Sequence, residues 1–217
     1  MQPDIAIDHF TLGARTLEEG ALYLKDKLGI EMPPGSKHDT MSTHNRVLKA
    51  GDGLFFELLA IDPEAPAQSH PRWFDLDDEG QRALLQQKPR PLTWIARTSD
   101  LRAVATQSPV DLGAVVHFVR GARSWDLTVR PDGTLPAGGL VPSLIQWSEG
   151  PHPSDNMQAL GPQLERIRLL HGNPGWLAGC LEAMGASHLA DVSAAGAEGN
   201  RIEFTFRLPD GKSVTLD

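Results

Sequence analysis

Met41 to Asp62, MSTHNRVLKAGDGLFFELLAID, reads as two strands joined by a Gly51-Asp52-Gly53 turn. The second strand is apolar apart from Glu57, and the first carries His44 and Asn45. An ionised carboxylate inside an apolar strand is costly unless a partner meets it. What that partner is, whether side chain, substrate or metal, bears directly on what the surrounding fold is for.

Upstream, IAIDHFTLGA (Ile5 to Ala14) has strand alternation: Ile5, Ile7, His9 and Thr11 alternate with Ala6, Asp8, Phe10 and Leu12. RTLEEGALYLKDKLGI follows, with Thr16 and Glu19 spaced as a capping box. Leu17, Ala21, Leu24 and Leu28 fall on one helical face, and Gly29 is placed as the stop. The first unit, residues 1–62, is therefore strand, helix, then two or three strands.

The pattern returns. PLTWIARTSDLRAVATQ, from Pro91, repeats the strand, the Ala-Arg-Thr and the helix start, and AVVHFVRGARSWDLTVRPDG and LVPSLIQWSEG supply further strands. This second unit covers 91–150. A shorter third unit, 164–217, has a helix capped by Asn173 with Pro174 at its first position, then a hairpin around Pro209-Asp210-Gly211. Connectors at 63–90 and 151–163 are Pro-rich at their ends, and the first has room for a short helix. His70 and His152 lie beside prolines in these connectors and read as surface turns. The period exceeds that of a solenoid, so these are duplicated modules.

With 217 residues, 40% hydrophobic and 22% charged, the chain has the composition of a globular protein. A formal charge of -8 opposes a surface that tracks phosphates, so no nucleic-acid partner is expected. No segment approaches the roughly 20 apolar residues of a membrane span, and MQPDIAIDHF lacks a basic, apolar leader. A single cysteine, Cys180, fits a reducing compartment, and a cytoplasmic protein is expected. Cys180 lies beside Leu177 and Leu181 on an apolar helix face and reads as an inert core thiol. Glu203 alternates with Ile202 and Phe204 and reads as a solvated residue. There is no Gly-rich phosphate loop after a strand, no nucleophile elbow and no Cys-x-x-Cys pair.

Tandem strand–helix–strand–strand–strand modules, with His9 in DHF on the first strand and Glu57 in FFEL on the last, resemble the vicinal oxygen chelate superfamily. That superfamily holds glyoxalase I, the extradiol dioxygenases and the bleomycin-resistance proteins. THN…GDGLFFELLAIDP followed by GLVPSLIQW resembles its glyoxalase-like domain branch more specifically, over about residues 5 to 185. The resemblance implies an α+β fold of tandem βαβββ modules whose curved mixed sheets enclose a cavity, with a partial third module at the C-terminus. It implies a small-molecule ligand in that cavity, in a monomer or a homodimer.

By the same resemblance a divalent metal (zinc, iron, nickel or manganese) would sit between the modules as a Lewis acid in a lyase, isomerase or dioxygenase reaction. His9 and Glu57 are then its ligands in the first module. In the second module Pro91 or Trp94 stands opposite His9, and Gln146 stands opposite Glu57, so the four-ligand pattern is incomplete. His44 or Gln146 is the candidate third ligand. Glu57 is also the candidate general base, and His44, Asn45, Trp125, Gln146 and Trp147 are candidate ligand contacts. The alternative is a metal-free binding or resistance protein, in which Glu57 pairs with His9 and Arg46.

Overall fold

The computed structural model of the protein describes residues 4–217. Strand β1 (Ile5–Gly13) is its seam, and helix α1 (Leu17–Leu28) follows at once. Thr16 caps α1 by accepting from the Glu19 N–H, and Gly29 ends it in the left-handed region at φ 69°, a conformation that suits glycine. The second half of the expected capping box is diverted, since the Glu19 carboxylate pairs with Arg15. Strands β2 (Ser36–His38), β3 (Thr43–Gly51) and β4 (Leu54–Ile61) complete the first module.

Helix α2 (Glu79–Gln87) occupies the connector, capped by Asp78. The second module comprises β5 (Arg90–Thr98), α3 (Leu101–Gln107), β6 (Ala114–Arg120), β7 (Arg123–Val129) and β8 (Ser143–Trp147). The two modules form one eight-stranded sheet in the order β2-β3-β4-β1-β5-β8-β7-β6, with β1 and β5 antiparallel at the junction. The sheet curls until its two edges meet: Arg120 of β6 donates to Ser36 Oγ of β2 at 2.8 Å.

The third segment contains β9 (Gln163–His171), α4 (Pro174–Ala183), β10 (Asp191–Ala194), β11 (Arg201–Arg207) and β12 (Ser213–Leu216). Strand β10 is an addition to the sequence reading; its four residues, DVSA, are too short and too polar to show a period. The order here is β10-β9-β11-β12, so the first strand lies inside its sheet and not at one side, as in the first two modules.

Strand alternation divides the large sheet into two faces. Phe10, Phe56 and Trp94 point outward, into a core shared with α1, α3, α4 and the small sheet, where Phe204 and Phe206 meet Phe10. Leu59, Ile95, Leu127 and Ile145 point inward, with Trp73 and Trp125, around a cavity. Cys180 is buried in the outer core, as its helix face implies, and burial pushes its thiol pKa up. Glu203 departs from the expected solvated state: its side chain is only 14% exposed and ion-pairs with Arg201 at 2.9 Å, because it lies on a strand flanked by two arginines.

Candidate functional site

Glu57 lies on β4 directly beside Thr11 of β1, both facing the cavity floor. Its carboxylate is 5% exposed and has two donors: Thr11 Oγ1 at 3.0 Å and Asn45 Nδ2 at 2.7 Å. The Asn45 amide is itself fixed, because Ser36 donates to Oδ1 from both its backbone N–H (3.2 Å) and its hydroxyl (3.1 Å). Arg120 completes the chain through Ser36 Oγ. Donors thus run in one direction, from Arg120 through Ser36 and Asn45 to Glu57, and the buried charge is compensated by oriented dipoles. The expected partner Arg46 is elsewhere; it faces the outer surface and donates to Met32 O, with Glu18 at 3.5 Å.

His38 adjoins this chain. Its Nε2 is 3.3 Å from Asn45 Nδ2 and its Nδ1 is 3.0 Å from Thr43 Oγ1. The amide nitrogen can only donate, so Nε2 accepts and the ring proton is on Nδ1. Burial, opposed by the Glu57 charge and reinforced by Arg120, pushes the His38 pKa down to about 4, so the ring is neutral.

His9 reaches the cavity through a bulge. Pairing with β5 steps from Ile7–Ala96 to His9–Ile95, leaving Asp8 as the extra residue. Neighbours on a regular strand point to opposite faces, yet here Asp8 Oδ1 lies 2.6 Å from His9 Nδ1. The other carboxylate oxygen accepts from Trp147 Nε1 at 2.8 Å and lies 3.0 Å from His152 Nε2. Asp8 is fully buried; burial alone would raise its pKa, but hydrogen bonds from His152 and His9 hold it well below the usual carboxylate range. With Nδ1 engaged and the ring stacked on Phe55 at 4.4 Å, Nε2 is the His9 nitrogen free for a ligand.

Of the residues singled out in the sequence, His9, Glu57, Asn45, Trp125 and Trp147 all line one cavity. His44 and Gln146 do not. His44 follows the opposite parity to Asn45 and lies on the outer face, where burial lowers its pKa and Asp62 raises it. Gln146 alternates with Trp147 in the same way, and its Oε1 accepts from the Leu101 N–H at the start of α3. His152, expected at the surface, is half-buried against Asp8. Sequence reasoning missed His38, Ser36 and Arg120, which sit in a three-residue strand and at a turn, and Trp73 and Phe74 of the connector. The alternation of Phe118 with Arg120 was the one usable signal among them.

The donor set does not fit the divalent metal that the resemblance implies. Both Glu57 oxygens already accept from fixed donors, and neither candidate third ligand faces the cavity, which leaves His9 Nε2 and Glu57 without a further protein ligand. In the second module the inward positions, among them Ile95, Trp125, Leu127, Ile145, Trp147 and the cationic Arg120, offer no metal-ligating side chain. Among the described residues no three His, Cys, Asp or Glu side chains are arranged to hold an ion.

What remains is a cavity with a polar floor and aromatic walls, of about 70 Å³, room for a handful of heavy atoms. Paired βαβββ modules curled into a half-barrel around such a floor are the architecture of the vicinal oxygen chelate superfamily. Residues 7–185 match the profile of the glyoxalase-like domain. The chain belongs to that family. Among curated proteins no sequence matches it. Of solved structures, a hypothetical protein from Staphylococcus aureus superposes with a TM-score of 0.60 at 13% identity, over 99% of this chain and 86% of its own. A mutant 4-hydroxymandelate synthase from Streptomyces coelicolor gives 0.49 at 17%, over 100% and 63%. Methylmalonyl-CoA epimerase from Mycobacterium tuberculosis gives 0.43 at 18%, over 67% and 89%. At 13% identity the first of these is a likeness of fold. Among the described residues no helix is long and apolar enough to cross a membrane.

Proposed function

We propose that this protein binds a small oxygenated molecule in the cavity between its first two modules, and does so without a metal at the cavity floor. The observation that carries the reading is the state of Glu57: a buried carboxylate already satisfied by Thr11 and Asn45, with the Asn45 amide locked by Ser36. These donors leave each Glu57 oxygen one lone pair, and neither His44 nor Gln146 reaches the cavity to complete a ligand set beside it. The aromatic walls, Trp125 and Trp147 among them, supply apolar contact, and His9 Nε2 supplies a directional polar group. A buried free thiol at Cys180 supports a reducing, cytoplasmic setting.

A second reading, acid–base chemistry on the bound molecule, is favoured by the Asp8–His9 contact at 2.6 Å. A carboxylate on one imidazole nitrogen orients the other for proton transfer beside a carbonyl. In that reading His9, not Glu57, is the base.

Metal content and ligand binding test the first reading together. The purified protein, supplied in turn with zinc, iron, nickel and manganese, is expected to retain well under one equivalent, unchanged by Glu57→Ala. Small carbonyl compounds are expected to quench cavity tryptophan fluorescence, and His9→Ala to weaken that binding. A full metal equivalent lost in both His9→Ala and Glu57→Ala would overturn the metal-free reading.

A further inference from the structure

We propose, building on the small-molecule reading above, that the cavity's ligand class is a small planar carboxylate, bound by the Arg120 guanidinium with its plane against Trp125. Arg120 projects from the edge strand β6 into the cavity lining, and its guanidinium lies over the Trp125 ring at 5.5 Å. Its one hydrogen bond among the described residues goes to the neutral Ser36 hydroxyl, and it forms no ion pair there. Trp73, 5% exposed and also in the lining, has an indole Nε1 that is buried with no acceptor. The wall therefore presents a planar cation that no anion pairs with among the described residues, and a guanidinium fork is matched by a carboxylate.

A carboxylate meets that requirement best. It accepts two parallel hydrogen bonds from a guanidinium fork, and a planar conjugated body continues the stack that Arg120 and Trp125 begin. Glu57 sets the orientation. Its negative charge at the floor repels a second carboxylate, so the acid group belongs at the Arg120 end and an oxygen of lower charge belongs near His9. An amine ligand would reverse the polarity and leave Arg120 facing a like charge.

Arg120 also joins the two sheet edges, and the experiment must separate that role from recognition. Binding of acrylate and acrylamide, and of pyruvate and pyruvamide, is followed by calorimetry and by the NMR signals of His9 and the Trp147 indole. Each acid is expected to bind about tenfold or more tightly than its amide. Arg120→Gln should abolish that preference and Arg120→Lys should keep part of it. Ser36→Ala, which removes the latch but keeps the guanidinium, should retain it. Equal binding of acids and amides overturns the carboxylate assignment, as does loss of the preference in Ser36→Ala, which would make Arg120 a latch alone. If neither pair shifts the cavity signals but a neutral carbonyl compound does, the carboxylate class falls and the small-molecule reading stands. If nothing shifts them, both fall.

Discussion

The Glu57 carboxylate sits in an apolar strand with two direct donors, Thr11 and Asn45, and with Ser36 fixing the Asn45 amide, and each link should be measurable. Asn45→Ala removes the 2.7 Å donor and leaves a buried charge underbonded. It is expected to destabilise the protein by about 2–3 kcal/mol, read from urea unfolding, with Glu57→Gln less damaging because the amide oxygen still accepts. His38 gives a pH signature. Its folded-state pKa is about 4, below the ordinary histidine value of 6.5, so the unfolded chain binds its proton first. Stability is therefore intact above pH 6.5 and falls as the pH drops toward 4, by at most about 1.4 kcal/mol per pH unit. Asp8 acts in the same sense at lower pH: its depressed pKa means stability lost as the carboxylate is finally protonated. His38→Gln, which keeps an acceptor for Asn45 but cannot titrate, is expected to flatten the fall between pH 6.5 and 4 in denaturation measured across that range. An unchanged slope would assign the loss to other groups.

Strand parity explains which neighbours can act together. Asn45 and Trp147 face inward, so His44 and Gln146 must face outward unless a bulge intervenes. On β1 a bulge does intervene, and it brings Asp8 and His9 to the same side. Gln146 then has a structural task, as its amide oxygen receives the Leu101 N–H, one of the donors a helix leaves unpaired at its start. Gln146→Leu is expected to cost about 1 kcal/mol of stability, comparable to losing a helix cap. Ligand affinity should be unchanged by calorimetry, since the side chain lies outside the cavity. A large loss of affinity would return Gln146 to the site.

The small C-terminal sheet covers the outer face of the large one, so the cavity's curvature and the outer core are mechanically joined. Phe206 is fully buried and lies 5.5 Å from Phe10 and 5.3 Å from Phe56, on strands whose opposite face carries His9 and Glu57. Phe206→Ala is expected to cost about 3–5 kcal/mol. Because the core runs through the third segment without a break, the loss should shift one cooperative transition, with tryptophan fluorescence and far-UV circular dichroism moving together. Two separated transitions would make the C-terminal segment an independent unit.

Local chemistry was written in the chain and could be read from it. The alternation of β1 and β4, the Thr16 cap, the Gly29 stop and the repetition of the module depend on neighbours a few residues apart, and they led to the paired-module fold with His9 and Glu57 on flanking strands. Parity was legible too, and on an unbulged strand it sets His44 on the face opposite Asn45 and Gln146 on the face opposite Trp147, as the structure has them. The partners of Glu57 were not legible. Thr11 is 46 positions away and Ser36 reaches the site through a strand too short to show a period, while Arg120 arrives from the far edge of a sheet that first has to curl. The Asp8 bulge, likewise, exists only because β1 and β5 slip by one residue where two modules meet. Periodicity encodes which face a side chain takes, whereas the closing of a sheet on itself brings together residues that no local pattern connects.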